Sequence, residues 1–346
     1  MEFWSSALEG RFKLRILVTG NLGYVGSHIM EFLIQDGHEV VGCDLFLFQN
    51  AICGDLPKPS LQIHRDFRQL TASDLKGIDA IAHMAGLSND PMGDLDPGLT
   101  MQVNGKGTLE FARIAREAGV RIFAFASSCS IYGNTSSLPR TELDETSPLS
   151  EYASSKLYAE QGLSKLATDS FHVYLLRNAT AFGDSNVFRS DLVVNDLSVG
   201  MSVFGKAEIK SDGTPWRPLI HAKDMARAFK LFMEQDPIEI SGKPINIGFN
   251  RENFQIREVG NIIKSAWDKC EITLNTSATF DPRDYKVDFS QLERLFPGFK
   301  PEHPLVKGVH ELKSELMRIG YSIRDHESKR FVRLHELKSN ISKLSN

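Results

Sequence analysis

The feature that most constrains this chain is a run near its start that reads strand, glycine-rich turn, helix, strand and acid. LRILV at 14–18 precedes TGNLGYVG at 19–26, and a helical apolar pattern begins at Ser27. The strand EVVGC at 39–43 then ends at Asp44. Glycines let the backbone approach a pyrophosphate closely, and the helix N-terminus offers it unpaired N–H groups. The order therefore predicts a dinucleotide-binding unit.

The acid indicates which dinucleotide binds. A carboxylate at the end of the second strand accepts hydrogen bonds from ribose hydroxyls and repels a 2′-phosphate, and the residues after Asp44 include no nearby arginine. We therefore expect NAD rather than NADP. For Asp66, adenine binding and a turn-capping role both stay open. The expected cofactor contacts are Gly20, Leu22, Gly23, Tyr24, Val25, Asp44, Asp66, Phe67, Met84, Ala85, Gly86, Asn104, Tyr152 and Lys156.

Strand and helix patterns alternate through the first half of the chain, which predicts an α/β fold with a Rossmann doubly wound parallel sheet. A long helix is expected over 98–118, with Asn104 available to hydrogen-bond backbone near the active site. INIGFN at 245–250 is expected to return to the sheet. Further strands are expected at 61–64, 78–85, 121–126 and 171–176.

A second stretch, SEYASSKLYAE at 150–160, carries the expected chemistry. Tyr152 and Lys156 are four residues apart in a helical run, so their side chains share one helix face. A nearby cation favours the phenolate and lowers a tyrosine pKa from about 10. Ser128 follows the strand at 121–126, at the sheet edge where open α/β sheets bind ligands, and its hydroxyl could donate to a substrate oxygen.

Taken together these motifs, with SSCSIYG at 127–133, GTPWRPLIHAKDMARA at 213–228 and RDYKVDF at 283–289, resemble the extended short-chain dehydrogenase/reductase family. The resemblance is to its NAD-dependent nucleotide-sugar epimerases and dehydratases. It implies that Tyr152 is the catalytic base, that Lys156 holds the nicotinamide ribose and that Ser128 binds the reacting sugar oxygen. It also implies oxidation of a nucleoside-diphosphate sugar, usually at carbon 4, and a homodimer.

The resemblance further implies a smaller C-terminal α/β domain that binds the nucleotide sugar. We expect an N-terminal extension over 1–12, a Rossmann domain over 13–178 to which segments near 217–249 return, a substrate domain over 179–330 and a C-terminal tail over 331–346 that is either docked or frayed. Arginine binds phosphate oxygens in a bidentate way, so Arg217 and Arg283 are candidates for the diphosphate. The expected substrate contacts are Ser128, Thr180, Arg189, Asn195, Arg217 and Arg283.

One departure from the family narrows the reaction. The similar 4,6-dehydratases carry an Asp-Glu pair directly after the serine or threonine, whereas this chain has Cys129 and Ser130. Without that pair there is no evident acid and base for eliminating water, so dehydratase activity is disfavoured. A sugar-nucleotide epimerase is expected, with a 4-dehydrogenase/reductase or a non-catalytic NAD(H) sensor as alternatives. For Cys129, structural packing is favoured over chemistry.

Composition excludes several other classes. The chain has 346 residues and a net charge of −4, so nothing indicates a nucleic-acid partner. Its four cysteines are scattered, without the spacing of a metal site, which favours a reduced, cytoplasmic setting and predicts no metal. No run of about 20 apolar residues suggests a membrane span.

Overall fold

The computed structural model describes residues 13–134, 138–275 and 283–344. The predicted extension at 1–12 and the last two residues of the tail lie outside these ranges. The strands are β1 (Arg15–Thr19), β2 (Glu39–Cys43), β3 (Leu61–Ile63), β4 (Ala80–His83), β5 (Ile122–Ser128), β6 (His172–Asn178), β7 (Thr180–Phe182), β8 (Lys206–Ile209), β9 (Trp216–His221), β10 (Pro244–Ile247), β11 (Asn253–Gln255) and β12 (Glu271–Leu274).

Helices flank these strands throughout the described ranges. They are α1 (Gly26–Gln35), α2 (Asp90–Gly93), α3 (Pro97–Thr100), α4 (Thr108–Glu117), α5 (Glu151–Ser164), α6 (Val193–Phe204), α7 (Ala222–Gln235), α8 (Ile256–Ala266), α9 (Ser290–Leu295), α10 (Leu305–Arg318), α11 (Ile323–Glu327) and α12 (Arg333–Asn340). None of these helices has the length and apolar character needed to cross a membrane.

Seven strands form the central parallel sheet, in the order β10-β6-β5-β4-β1-β2-β3. This arrangement confirms the predicted doubly wound α/β fold. The order reverses direction between β1 and β4, and ligands bind at such a switch point beyond the carboxyl ends of the strands. Apolar residues on the two faces of the sheet pack against helices to form two large buried clusters.

The later part of the chain adds two small sheets. One has the order β11-β9-β7, and the other pairs β12 with β8 in parallel. A third apolar cluster forms around α6, α8 and α10. The strand β10 joins the main sheet beside β6, as expected for the segment at 245–250. The sequence boundary at 178/179 itself stays a prediction.

The long helix expected over 98–118 is interrupted. A π-helix occupies Met101–Gly107, between α3 and α4. Its wider turn accommodates Asn104, whose Oδ1 accepts from Leu87 N at 2.8 Å and whose Nδ2 donates to Leu87 O at 2.9 Å. Gly86 lies directly beneath, where an added Cβ would meet the Asn104 amide oxygen at 2.7 Å. The π-turn therefore holds Asn104 against the loop that follows β4.

Candidate active site

The glycine turn between β1 and α1 forms a close-packed cradle at the sheet switch point. Gly20 has a φ of 70°, in the left-handed region that favours glycine. A Cβ added at Gly26 would lie 2.0 Å from the Gly20 carbonyl oxygen. Only glycine fits at this contact. The turn therefore has the shape that brings bare backbone to a pyrophosphate, and these residues fit NAD.

Asp44 closes the cradle at the end of β2. Its carboxylate accepts hydrogen bonds from Leu22 N at 3.1 Å and Phe46 N at 2.8 Å. Burial raises the pKa of this carboxyl, against the lowering effect of those two N–H groups. Leu22 thus serves Asp44 through its backbone and does not itself line the cavity.

A single cavity of about 740 Å³ extends from the cradle across the carboxyl ends of the strands. It brings together most of the residues predicted for cofactor and substrate, although they are far apart in the sequence. Those that line it are Gly20, Gly23, Tyr24, Val25, Asp44, Asp66, Phe67, Met84, Ala85, Gly86, Ser128, Tyr152, Lys156, Thr180, Arg189, Arg217 and Arg283.

Three predicted residues do not line the cavity: Leu22, Asn104 and Asn195. Asn195 is fully buried, and its amide bonds to backbone instead. Its Oδ1 accepts from Gly183 N at 3.0 Å, and its Nδ2 donates to Arg189 O at 2.8 Å. This corrects the expectation of a direct substrate contact at Asn195. Asn104 likewise supports the site through Leu87 rather than touching the cavity.

The structure shows one of the two roles considered for Asp66 and leaves the other open. Asp66 caps a short 3₁₀ helix by accepting from Arg68 N at 2.9 Å, and it forms an ion pair with the Arg68 guanidinium at 2.7 Å. The capping role is therefore present. Adenine binding by Asp66 stays a prediction, since the residue also lines the cavity.

The three predicted catalytic residues converge at the centre of the cavity. Ser150 caps α5 by accepting from Ala153 N, which fixes the first turn that carries Tyr152. Ser128, at the end of β5, lies close enough to the Tyr152 phenol to lower its pKa. Lys156 lies one turn further along α5, with Nζ 4.8 Å from the centre of the Phe125 ring and 5.8 Å from that of Tyr152.

Burial controls the titration of this group. It raises the pKa of Tyr152, while the nearby Ser128 hydroxyl acts in the opposite direction. It lowers the pKa of Lys156 from 10.5 to about 8, although the nearby Glu160 carboxylate opposes this change. Desolvation is thus the largest effect on the Tyr152 phenol, and the expectation that Lys156 lowers the tyrosine pKa stays a prediction.

The two residues after Ser128 face opposite directions. Cys129 is completely buried outside the cavity, and its thiol donates to Arg177 O at 3.1 Å. Ser130 lines the cavity, and its buried hydroxyl has no hydrogen-bond partner among the described residues. The burial of Cys129 favours the packing role, and an uncharged hydroxyl lies beside Ser128 in the cavity.

The three predicted arginines lie along the cavity wall. Arg189 is buried and forms an ion pair with Asp191 at 2.9 Å, while its Nη1 donates to Ser88 Oγ at 3.1 Å. Arg217 donates to its neighbour Trp216 O at 2.7 Å, and its guanidinium lies 5.8 Å from the Tyr285 ring centre. Diphosphate binding at Arg217 stays a prediction.

Arg283 belongs to the same part of the wall and forms an ion pair with the Asp90 carboxylate. The same carboxylate accepts from Ser150 Oγ. Asp90 is thus already held by a cation and a hydroxyl. Diphosphate binding at Arg283 also stays a prediction.

Sequence reasoning missed several residues of the cavity. Ser88 and Asp90 follow the predicted strand at 78–85 closely, so their position after a sheet strand was the available signal. Arg333 comes from the C-terminal tail, more than 300 residues from the glycine turn. No local motif links it to the cavity.

The match to known proteins agrees with this geometry. Residues 16–248 match the model of the NAD dependent epimerase/dehydratase family. The chain belongs to this family. It is an NAD-dependent nucleotide-sugar enzyme of the extended short-chain dehydrogenase/reductase type, which confirms the resemblance and the cofactor predicted from Asp44.

Two relatives illustrate the range within the family. UDP-glucuronic acid decarboxylase 1 of Danio rerio is 26% identical over 317 residues, covering 88% of this chain and 73% of that protein. A putative UDP-glucose 4-epimerase of Methanocaldococcus jannaschii is 26% identical over 307 residues, covering 85% and 95%. The structure of MoeE5 with UDP-glucuronic acid and NAD is 26% identical, with a TM-score of 0.75, covering 88% of this chain and 99% of that one.

Proposed function

We propose that this enzyme is a UDP-sugar 4-epimerase that keeps its NAD through the reaction cycle. The observation that carries the proposal is the arrangement after β5. Ser128 and Tyr152 lie side by side in the cavity, while Ser130 offers only a hydroxyl beside them and Cys129 faces away. The site is thus equipped to move one proton at one sugar hydroxyl.

The residues divide the work as follows. Ser128 holds the oxygen of the reacting hydroxyl, and Tyr152 takes its proton and later returns it. Bound NAD supplies the hydride acceptor and donor for the carbon that carries this oxygen. Lys156 reaches the same space from the next helical turn, where its cation stabilises the phenolate when the proton has left. Asn104 and Gly86 keep the loop after β4 in place beneath the cofactor.

Elimination of water has less support from the side chains. Dehydration across carbons 5 and 6 needs an acid and a base beside Ser128, and that position holds Cys129 and Ser130. Asp90 is the nearby carboxylate in the cavity, and it is already held by Arg283 and Ser150. The uridine nucleotide is proposed because the decarboxylase and epimerase relatives are named for UDP-sugars and MoeE5 was solved with one bound.

The proposal also includes the assembly. In the family to which the chain belongs, helices equivalent to α4 and α5 pair across a twofold axis, so we propose a homodimer through these helices. The cytoplasmic location stays a prediction.

The test is to incubate the NAD-loaded enzyme with UDP-glucose, UDP-N-acetylglucosamine and UDP-glucuronic acid, with GDP-, CDP- and dTDP-glucose for comparison. Absorbance at 340 nm and the products are both followed. We expect a UDP-sugar to be converted to its 4-epimer, with NADH absorbance never exceeding one equivalent per site. Release of NADH in amounts stoichiometric with the sugar consumed would contradict the proposal. A 4-keto-6-deoxy sugar or a UDP-pentose as the product would contradict it as well.

A further inference from the structure

The C-terminal residues 331–344, here called the strap, lie across one wall of the cofactor cavity. The structure resolves the open question about the tail, since α12 is docked. Leu337 is fully buried and Leu344 is 4% exposed, both within the apolar cluster beneath the sheet. The strap residues that line the cavity are Val332, Arg333, Leu334 and Leu344.

Hydrogen bonds fasten the strap to the loops after β2 and β3. Asn340 Nδ2 donates to Leu47 O at 3.3 Å, and Arg68 Nη2 donates to Leu344 O at 2.6 Å. At the start of the strap, Ser190 N donates to Phe331 O at 3.0 Å. The strap therefore connects the Asp44 side of the cavity with the loop that carries Arg189.

Arg333 projects from the strap into this wall. It is 3% exposed, its guanidinium lies 4.3 Å from the centre of the Phe48 ring, and its Nη2 donates to Val187 O at 3.2 Å. Within the described residues, no carboxylate forms an ion pair with it. A buried guanidinium held only by a carbonyl and a ring retains donors for an anion.

Arg333 is surrounded by charged residues from several parts of the chain. It interacts electrostatically with the carboxylates of Asp191, Glu336 and Asp44 and with the Arg189 guanidinium. Burial lowers the pKa of Arg333 to about 9, so the side chain stays charged at neutral pH. Asp191 is already paired with Arg189. A bound anion in the cavity would relieve the cost of keeping this cation buried.

We propose that Arg333 binds the pyrophosphate of NAD from the side opposite the glycine turn, and that the strap holds the cofactor in the cavity. The pyrophosphate is the anionic part of the dinucleotide, and the N–H groups at the N-terminus of α1 would hold it while Asp44 would bind the adjoining ribose. Arg333 then completes a site whose other wall is bare backbone. Release of NAD requires the strap to leave its contacts with Leu47 and Arg68, which makes exchange slow.

The proposal rests on NAD binding and not on the identity of the sugar, so it is tested without substrate. The variants are Arg333→Met, which removes the charge at similar length, and Arg333→Lys, which keeps it. Arg324→Met on the exposed helix α11 is the matched control. Binding of adenosine, ADP and NAD is measured by calorimetry, and NAD dissociation by stopped-flow displacement, with circular dichroism to verify the fold.

We expect Arg333→Met to weaken ADP and NAD about 10- to 100-fold, as for loss of a charge-assisted hydrogen bond, and to speed NAD release similarly. The affinity for adenosine should stay within about twofold of the wild-type value. The ADP and NAD affinities of Arg333→Lys should lie between those of the wild type and Arg333→Met. Equal loss of adenosine and ADP binding would mean that Arg333 only packs the wall and would overturn the proposal. The proposal would also be overturned if Arg333→Met had the same NAD affinity and NAD release rate as the control Arg324→Met. If Arg333→Met does not fold, Arg333→Lys decides by the same comparison of adenosine with ADP.

Discussion

Lys156 lies one helical turn beyond Tyr152 on α5, with its Nζ 5.8 Å from the centre of the tyrosine ring. Both side chains reach the cavity, and burial acts on both in the direction of the neutral form, raising the pKa of Tyr152 and lowering that of Lys156 to about 8. The pair is therefore held in an environment that disfavours charge until a ligand enters.

Replacing Tyr152 with Phe should abolish turnover without abolishing binding. The change removes the phenol that exchanges the proton, a role worth about 10²–10⁴-fold in rate, but leaves the ring and α5 intact. NAD and UDP affinity, measured by calorimetry, should stay within a few-fold. Tyr158→Phe, at a 41% exposed residue on the same helix, is the control and should keep full activity. Unchanged turnover in Tyr152→Phe would remove the proposed mechanism.

Replacing Lys156 with Met should stabilise the NAD-free protein while reducing activity. Because the folded-state pKa lies near 8, below the unfolded value of 10.5, the folded protein is penalised for holding the charge at pH 7. Removing the charge should raise the free energy of unfolding by about 1–3 kcal/mol at pH 7. The difference in the free energy of unfolding between Lys156→Met and wild type should decrease between pH 8 and 10.5, where the wild-type lysine is neutral in the folded state.

Urea denaturation at several pH values measures this difference. Lys165→Met, at the exposed end of α5, is the matched control and should change stability little at any of them. A Lys156→Met variant less stable than wild type at pH 7 would show that packing or ion pairing of the lysine outweighs its desolvation.

Replacing Glu252 with Gln should stabilise the protein at alkaline pH. Glu252 is 7% exposed and accepts from Leu305 N at 2.9 Å, and burial raises its pKa from 4.5 to about 7. The folded state therefore keeps a proton that the unfolded state loses, so stability falls as pH rises from 4.5 to 7. Glutamine carries no charge and should gain about 1–3 kcal/mol at pH 8 and little at pH 4.5. Thermal unfolding of Glu252→Gln and of the exposed control Glu117→Gln, at pH 4.5 and pH 8, measures this difference. Equal shifts in the unfolding temperature of Glu252→Gln at the two pH values would contradict the raised pKa of Glu252.

Replacing Glu160 with Gln should destabilise the protein strongly. Glu160 is 3% exposed and pairs with the buried Arg177 at 2.8 Å, while Ser127 donates to the same carboxylate. The substitution leaves the Arg177 guanidinium buried without its counterion, at a cost of about 3–5 kcal/mol. Urea denaturation, with Glu151→Gln at the exposed start of α5 as control, checks this. A loss below about 1 kcal/mol would mean that Tyr132, which accepts from Arg177 at 3.0 Å, suffices as a partner.

Local pattern predicted the parts of the site that are continuous in sequence. The glycine turn, Asp44 and the Tyr152–Lys156 pair each lie within one element or one strand–turn–helix unit, where backbone geometry fixes side-chain placement. Tyr152 and Lys156 share a face because the helical repeat puts residues four apart together. The same reasoning failed at Asn195, because the helical pattern around it did not show that its amide would be used by Gly183 and Arg189.

The sequence by itself determined the α/β class and the choice of NAD, and it predicted Ser128, Tyr152 and Lys156 as the catalytic residues. Only the tertiary structure decided that Cys129 faces away while Ser130 faces the cavity, because that depends on how the chain turns after β5. It alone placed Arg333 in the wall of the cavity that the glycine turn also lines. The contact joins residues far apart in the chain, and long-range packing of the strap, rather than any local propensity, brings them together.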